Sequence, residues 1–211
     1  MSGVRLRDGR KIAAGSIVDA AGPAAADVAA MAGIDDLPVR SRKRLVFTFE
    51  CGVKPHGVKP YGAKPHGYPL VVDPSGIYFR PEGDKFVCGV SPPADRDPDC
   101  RDFAVDHRLF EEVLWSGLAR RVPAFDALRA GTAWAGRYAF NVRDQNAVLG
   151  PHPEVRNFYF ANGFSGHGLQ QSPAVGRALA ELIAFGCFRT LDLAASASSV
   201  SRRGAWSRSA T

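Results

Sequence analysis

Residues 163–173 read Gly163-Phe164-Ser165-Gly166-His167-Gly168-Leu169-Gln170-Gln171-Ser172-Pro173, a run of small and flexible residues directly ahead of a marked helix start. Glycines on both sides of His167 let the backbone approach a ligand closely. Ser172 is placed to cap a helix, and Pro173 suits its first position, where no amide donor is needed. The spacing predicts a helix from Ala174 to about Phe185, with Val175, Leu179, Leu182 and Ile183 on its apolar face and Gly186 as its stop. Unpaired N–H groups at the positive end of a helix dipole favour a phosphate, a carboxylate or an anionic ring, and spacing does not choose among them. A tight structural turn into a buried helix accounts for the same residues equally well.

Outward from this stretch, Asn157 to Asn162 reads as the apolar strand that feeds it. Residues 4–20 read as a hairpin turning at Asp8-Gly9, followed by a buried strand. Pro23 to Ala32 reads as an alanine-rich helix stopped by Gly33. Residues 38–50 form a strand. Next come three pentapeptides in 53–67, Val53-Lys54-Pro55-His56-Gly57 and its two variants, whose repeated Pro and Gly predict an exposed loop. His56 and His66 lack the further ligands of a metal site, and none is expected. Short strands at 69–72, 76–80 and 85–90, joined by glycine turns, imply an antiparallel sheet. An amphipathic helix, Asp106 to Arg121, turns Phe110, Val113, Leu114 and Leu118 inward, and a long strand returns over 128–142. The fold class is therefore α+β.

At 211 residues and 45% hydrophobic, the chain can bury a substantial core. No apolar run reaches the length of a membrane span. The four cysteines lack C-x-x-C spacing and read as reduced thiols. The net charge of +6 is concentrated in Arg40 to Arg44 and in the C-terminal arginines. No aromatic residues interleave with the first cluster, which reads as an exposed strand entrance rather than a nucleic-acid surface.

Gly163-Phe164-Ser165-Gly166-His167-Gly168, entered from the 157–162 strand, resembles the C-terminal flavin loop of the D-amino-acid oxidase, glycine oxidase and sarcosine oxidase superfamily. Ser16-Ile17-Val18-Asp19-Ala20-Ala21-Gly22-Pro23 is similar to the strand and Ala-Gly turn that pass beside the cofactor in that superfamily. Trp134-Ala135-Gly136-Arg137-Tyr138 and Asp144 to Pro153 resemble a narrower group within it, the FAD-dependent oxidoreductase domain-containing proteins. The matching segments run from about residue 4 to Leu193.

The resemblance implies an α/β parent. Residues 1–36 and 143–193 would be pieces of its Rossmann-like FAD-binding domain, 37–142 an antiparallel substrate domain interrupted by 53–67, and 194–211 a disordered tail. It implies FAD contacts at Ala21, Gly22, Gly163, Phe164, Ser165, Gly166, His167, Gly168, Leu169 and Gln170. The chemistry implied is removal of hydride from a carbon bearing an amine, delivered to flavin N5, with a small amine or amino acid as substrate. Arg137 is the candidate grip for a substrate carboxylate.

The superfamily's opening Gly-x-Gly-x-x-Gly turn does not occur in this sequence, so the expectation is a C-terminal piece of a longer protein, or a truncated gene product, with weak FAD binding on its own. Sarcosine oxidases of the superfamily tether flavin through a cysteine in the strand that matches 133–140. No cysteine lies there, and FAD would be held non-covalently. Gln170 stands where those enzymes carry lysine, which argues against sarcosine as substrate. The narrower group also implies a second possibility, a non-catalytic role in assembling respiratory complex I, with respiratory subunits as partners. Location would be cytoplasmic in a bacterium and mitochondrial in a eukaryote.

Overall fold

The computed structural model describes residues 1–51, 68–191 and 193, with the backbone of 199–200 and 206–207. The pentapeptide repeats lie outside the described residues. In chain order the elements begin with β1 (Gly3–Arg5), β2 (Lys11–Ala13), β3 (Ile17–Asp19), α1 (Ala25–Ala30) and β4 (Val39–Cys51). They continue with β5 (Val71–Val72), β6 (Tyr78–Glu82), β7 (Lys85–Gly89), a π-helical segment Phe110–Leu114 that leads into α2 (Trp115–Arg121), and β8 (Leu128–Asn141). The last are β9 (Val148–Pro151), β10 (Phe158–Asn162), α3 (Gly168–Phe185), β11 (Ser199–Val200) and β12 (Trp206–Ser207). The class is mixed helix and antiparallel sheet, as the hairpin signals imply. The chain divides into two compact units, Lys43–Arg137 and the pair of segments Met1–Arg42 and Tyr138–Thr211.

In the unit Lys43–Arg137 a five-stranded sheet runs in the order β5-β6-β7-β4-β8. Alternation along β4 sends Phe47 and Phe49 to one face, where they meet Phe79 of β6 and Phe86 of β7. Phe125 is fully buried at the centre of this cluster, with ring centroids 5.0 Å from Phe49 and 5.2 Å from both Phe79 and Phe86. The helix covering them presents Phe110, Leu114 and Leu118, four residues apart, to the same core. Val113 is 42% exposed, contrary to the sequence reading, because the inward stripe runs through the i, i+4, i+8 positions and leaves it beside the stripe. Burial pushes the Cys88 thiol up to about 12, and none of the four cysteines is in a disulfide.

The basic run is not an exposed entrance. Arg44 makes a two-pronged ion pair with Asp97, both bonds 2.8 Å, and the two side chains are only 16% and 9% exposed. Lys43 donates to Asp102 at 2.8 Å. In the other unit, Arg40 donates to the Leu37 and Val39 carbonyls. Sequence reading missed this because the carboxylates lie more than fifty positions away along the chain.

The second unit is built on a three-stranded sheet ordered β3-β10-β9, with β3 parallel and β9 antiparallel to β10. Phe158 and Phe160 pack with Ala25 and Ala29 of α1, while Tyr159 and Ala161 lie with Leu149, Val175 and Leu179 on the α3 side. Helices therefore cover both faces. β3 is only partly buried, with Val18 41% exposed, because it stands at the sheet edge. The Asp8-Gly9 hairpin forms as read, pairing β1 with β2.

Helix α3 starts at Gly168, well before the expected Ala174, and Pro173 lies inside it. Proline there removes the N–H that would bond the Leu169 carbonyl. Ser172 replaces that donor, its Oγ donating to Leu169 O at 2.8 Å, so the Ser-Pro pair repairs a helix rather than opening one. Ile183 is 40% exposed, and Glu181 occupies a buried position in the same turn. Its carboxylate accepts from Arg189 N at 2.7 Å, Thr190 N at 3.0 Å and the Thr190 hydroxyl, fixing the segment that follows the helix. Gly186 ends the helix at φ 74, as read. Among the residues of the expected disordered tail, β11 pairs with β12, and the rest lie outside the described residues. No helix among the described residues is long and apolar enough to cross a membrane.

Candidate functional site

Strand β10 delivers the chain to Gly163, which turns at φ 68. Phe164 then forms an antiparallel bridge with Phe140 of β8. Ser165 takes φ 47, a left-handed conformation that a residue with a Cβ adopts rarely, and is 6% exposed. Its N–H donates to Ala139 O at 3.0 Å, and its carbonyl accepts from Tyr138 Oη at 2.6 Å. Its hydroxyl accepts from Asn141 N at 3.1 Å and donates to Gly163 O at 3.2 Å. The surrounding strand thus over-determines the strained residue.

The glycines are required by the protein's own packing. A Cβ on Gly163 would come within 3.0 Å of Val39 Cγ2 and 3.2 Å of Asn141 Cβ. One on Gly166, at φ 98, would lie 2.9 Å from Tyr138 Cε2.

His167 stands at the cap position of α3, exposed, with its N–H donating to Phe164 O at 3.0 Å. No side chain caps the helix. The first-turn amides of Gly168, Leu169 and Gln170 precede the first intrahelical donor, Gln171 N, which reaches His167 O at 3.2 Å. Leu169 is 88% exposed and Gln170 is exposed, so this turn is uncovered. An acceptor of negative or partly negative character fits it.

In the same unit, Ala21-Gly22 sits at the carboxyl end of β3. Ala21 N donates to Asp19 Oδ1 at 3.1 Å, and Gly22 turns at φ 56 into open space. Arg137 belongs to the other unit, where it is exposed with its guanidinium 5.2 Å from the Phe103 ring centroid.

Sequence reading missed the residues that hold the loop. Tyr138 and Asn141 are the principal ones. Asn141 is 2% exposed, and its amide donates to Asp144 Oδ1 at 2.9 Å and Asn146 O at 2.6 Å. Asp144-Gln145-Asn146 is thus a structural turn, with Gln145 at φ 61. The Asn-x-x-Asp spacing before a strand was the available signal. Among the described residues no cluster of metal-ligating side chains occurs.

A family model, FAD dependent oxidoreductase (DAO), matches residues 1–182. The chain is 46% identical over 204 residues to FAD-dependent oxidoreductase domain-containing protein 1 of Xenopus laevis, covering 91% of this chain and 38% of that protein. It is 36% identical over 159 residues to the Drosophila melanogaster homolog, covering 74% and 29%. The chain therefore spans less than two-fifths of the length of these relatives. Among solved structures, L-proline dehydrogenase from P. horikoshii superposes with a TM-score of 0.79 at 26% identity, covering 98% of this chain and 52% of that one. Glycine oxidase from Geobacillus kaustophilus shares the fold, with a TM-score of 0.73 at 24% identity and coverage of 90% and 46%.

Proposed function

Because the chain belongs to the FAD dependent oxidoreductase family, we propose that it supplies the flavin-ring side of an FAD site in an enzyme that oxidises a small amine or amino acid. One observation carries the reading: a strained loop, locked by β8, ends on an uncapped and uncovered helix start. The donor set fits the cofactor. Amides of Gly168, Leu169 and Gln170 would face the electron-rich edge of the ring, and Ala21-Gly22 would line a second stretch of it. When bound, FAD supplies the N5 position that accepts hydride from a carbon bearing an amine.

The chain's contribution is electrostatic and steric. Prealigned N–H groups stabilise negative charge that grows during reduction, which raises the reduction potential. Ser165 and Tyr138 keep those groups in place before any ligand arrives, so no reorganisation is needed at the moment of reaction. No cysteine lies between 133 and 140, and the cofactor is held without a covalent tether. Arg137 would hold a substrate carboxylate through its planar guanidinium. The chain's likeness to L-proline dehydrogenase, at 26% identity, supports an amino-acid substrate class.

Amine-dependent bleaching of flavin absorbance, measured in a protein carrying this chain with the remaining length of its relatives, tests the reading. Reduction by a small amine or amino acid is expected. No reduction by any such compound would overturn catalysis in favour of an assembly role. The 211-residue chain alone should bind FAD weakly, and its purification as a stoichiometric yellow protein would overturn that part.

A further inference from the structure

At the carboxyl ends of the parallel pair β3 and β10 lie two buried polar side chains that the cofactor reading does not use. Asp19 is 2% exposed and Asn162 is 0% exposed. Phe160 pairs with Asp19 in the ladder, and Asn162 follows on the same face of β10. Each residue leads into a turn: Asp19 into Ala21-Gly22, Asn162 directly into Gly163. Asp19 Oδ1 accepts the Ala21 N–H. Asp19 Oδ2 and both amide atoms of Asn162 are buried with no hydrogen-bond partner among the described residues.

An ionised carboxylate in that position is costly, since solvent is excluded and no cation among the described residues pairs with it. Asn162 Nδ2 can donate to the Asp19 carboxylate, but that leaves Asn162 Oδ1 without a donor, and two acceptors, Asp19 Oδ2 and Asn162 Oδ1, cannot satisfy each other. A proton on Asp19 turns one of them into a donor. We propose that Asp19 and Asn162 form a proton-carrying clasp, Asp19 Oδ2–H donating to Asn162 Oδ1, which ties the Ala21-Gly22 turn to the Gly163 loop. Both are then positioning residues for the two segments assigned to flavin, and this role rests on that assignment.

The surroundings agree. Burial pushes the Asp19 carboxyl above its ordinary value, partly offset by the Ala21 N–H and the Asn162 amide. The titratable groups of neighbouring elements stand apart from it. Asp27 of α1 is exposed, Tyr159 of β10 lies on the α3 side, and His152 beyond β9 tilts against Phe160 at 5.9 Å. None of them contributes to the shift of Asp19.

The test is equilibrium unfolding of the 211-residue chain against pH, for wild type and Asp19→Asn. Asparagine reproduces the protonated acid, donating to Asn162 and accepting from Ala21. A carboxyl whose folded value is raised holds its proton in the native state after the unfolded chain has lost it. The wild-type folding constant should therefore fall about tenfold per pH unit, relative to Asp19→Asn, as pH climbs from the ordinary aspartate value to the folded one. Above that window Asp19→Asn remains the more stable protein. Infrared difference spectra give a readout independent of unfolding: a protonated-carboxyl band persisting above the ordinary aspartate range, lost in Asp19→Asn. Parallel pH profiles with no such band would overturn the clasp. A clasp observed in a protein whose relatives-length form fails to bind FAD would uphold the pairing and sink the cofactor reading instead.

Discussion

Replacing Gly166 with alanine tests whether the loop is held by β8. Gly166 has φ 98, where an L-residue is strained by roughly 1–3 kcal/mol. The new Cβ would lie 2.9 Å from Tyr138 Cε2 and 3.0 Å from its Oη, so the ring must move. Moving it breaks the 2.6 Å bond from Tyr138 Oη to Ser165 O. That bond is worth about 0.5–1.5 kcal/mol. Together the terms give roughly 2–4 kcal/mol, or a melting shift of about 5–15 °C for a chain of this size. The assay is thermal and denaturant unfolding of wild type, Gly166→Ala, Tyr138→Ala and the double variant. Backbone strain persists without the ring, whereas the clash and the hydrogen bond do not. A coupling of about 1 kcal/mol or more is therefore expected between the two sites. Additive effects, or a Gly166→Ala cost below about 0.5 kcal/mol, would refute the account of the loop.

Four further outcomes follow from packing and charge. Phe125→Ala, at the centre of the aromatic cluster, should cost about 3–5 kcal/mol in chemical denaturation and loosen the unit Lys43–Arg137 first. Asp97→Asn leaves Arg44 without its carboxylate in a mostly buried setting, and about 2–4 kcal/mol should be lost in the same assay, with little sensitivity to added salt. Ser172→Ala strips the Leu169 carbonyl of its substitute donor and should cost about 1 kcal/mol, measured by melting, whereas in the Pro173→Ala background the loss should vanish. Glu181 is held at about 2 by the Thr190 hydroxyl and the Arg189 and Thr190 amides. Its stabilisation is complete above the ordinary glutamate value and lost as pH falls through about 2, a slope that Glu181→Gln should flatten in acid unfolding.

Periodicity made the strands and the helix face of Phe110, Leu114 and Leu118 legible, because alternation and four-residue spacing are local properties. The Asp8-Gly9 turn was legible for the same reason. What stayed hidden depended on partners remote in sequence. Arg44 looked like a surface charge until Asp97 came beside it, and Glu181 looked polar until Arg189 and Thr190 folded back onto it. Ser-Pro is a strong opening signal in isolation, so the sequence alone puts the start of α3 six residues too late. Only the Leu169 carbonyl, accepting from Ser172, shows the pair at work inside a helix. The loop's glycines read in sequence as room for a ligand, yet Gly163 and Gly166 are already required by Val39, Asn141 and Tyr138.

That double duty bears on how a cofactor site of this kind is made. A loop whose glycines were demanded by ligand approach alone would be free to relax without the ligand, and binding would have to order it. Here Ser165 is fixed through its amide, carbonyl and hydroxyl by residues 138–141, and Asn141 is itself fixed by Asp144 and Asn146. The strain at Ser165 and the uncapped start of α3 therefore exist in the folded chain, set by β8 and the turn after it. Ordering entropy is met during folding, and the exposed amides stand ready for whichever electron-rich group reaches them. Changes at Asn141 or Asp144, neither of which is assigned to the cofactor, should accordingly weaken the donor array as surely as changes in the loop itself.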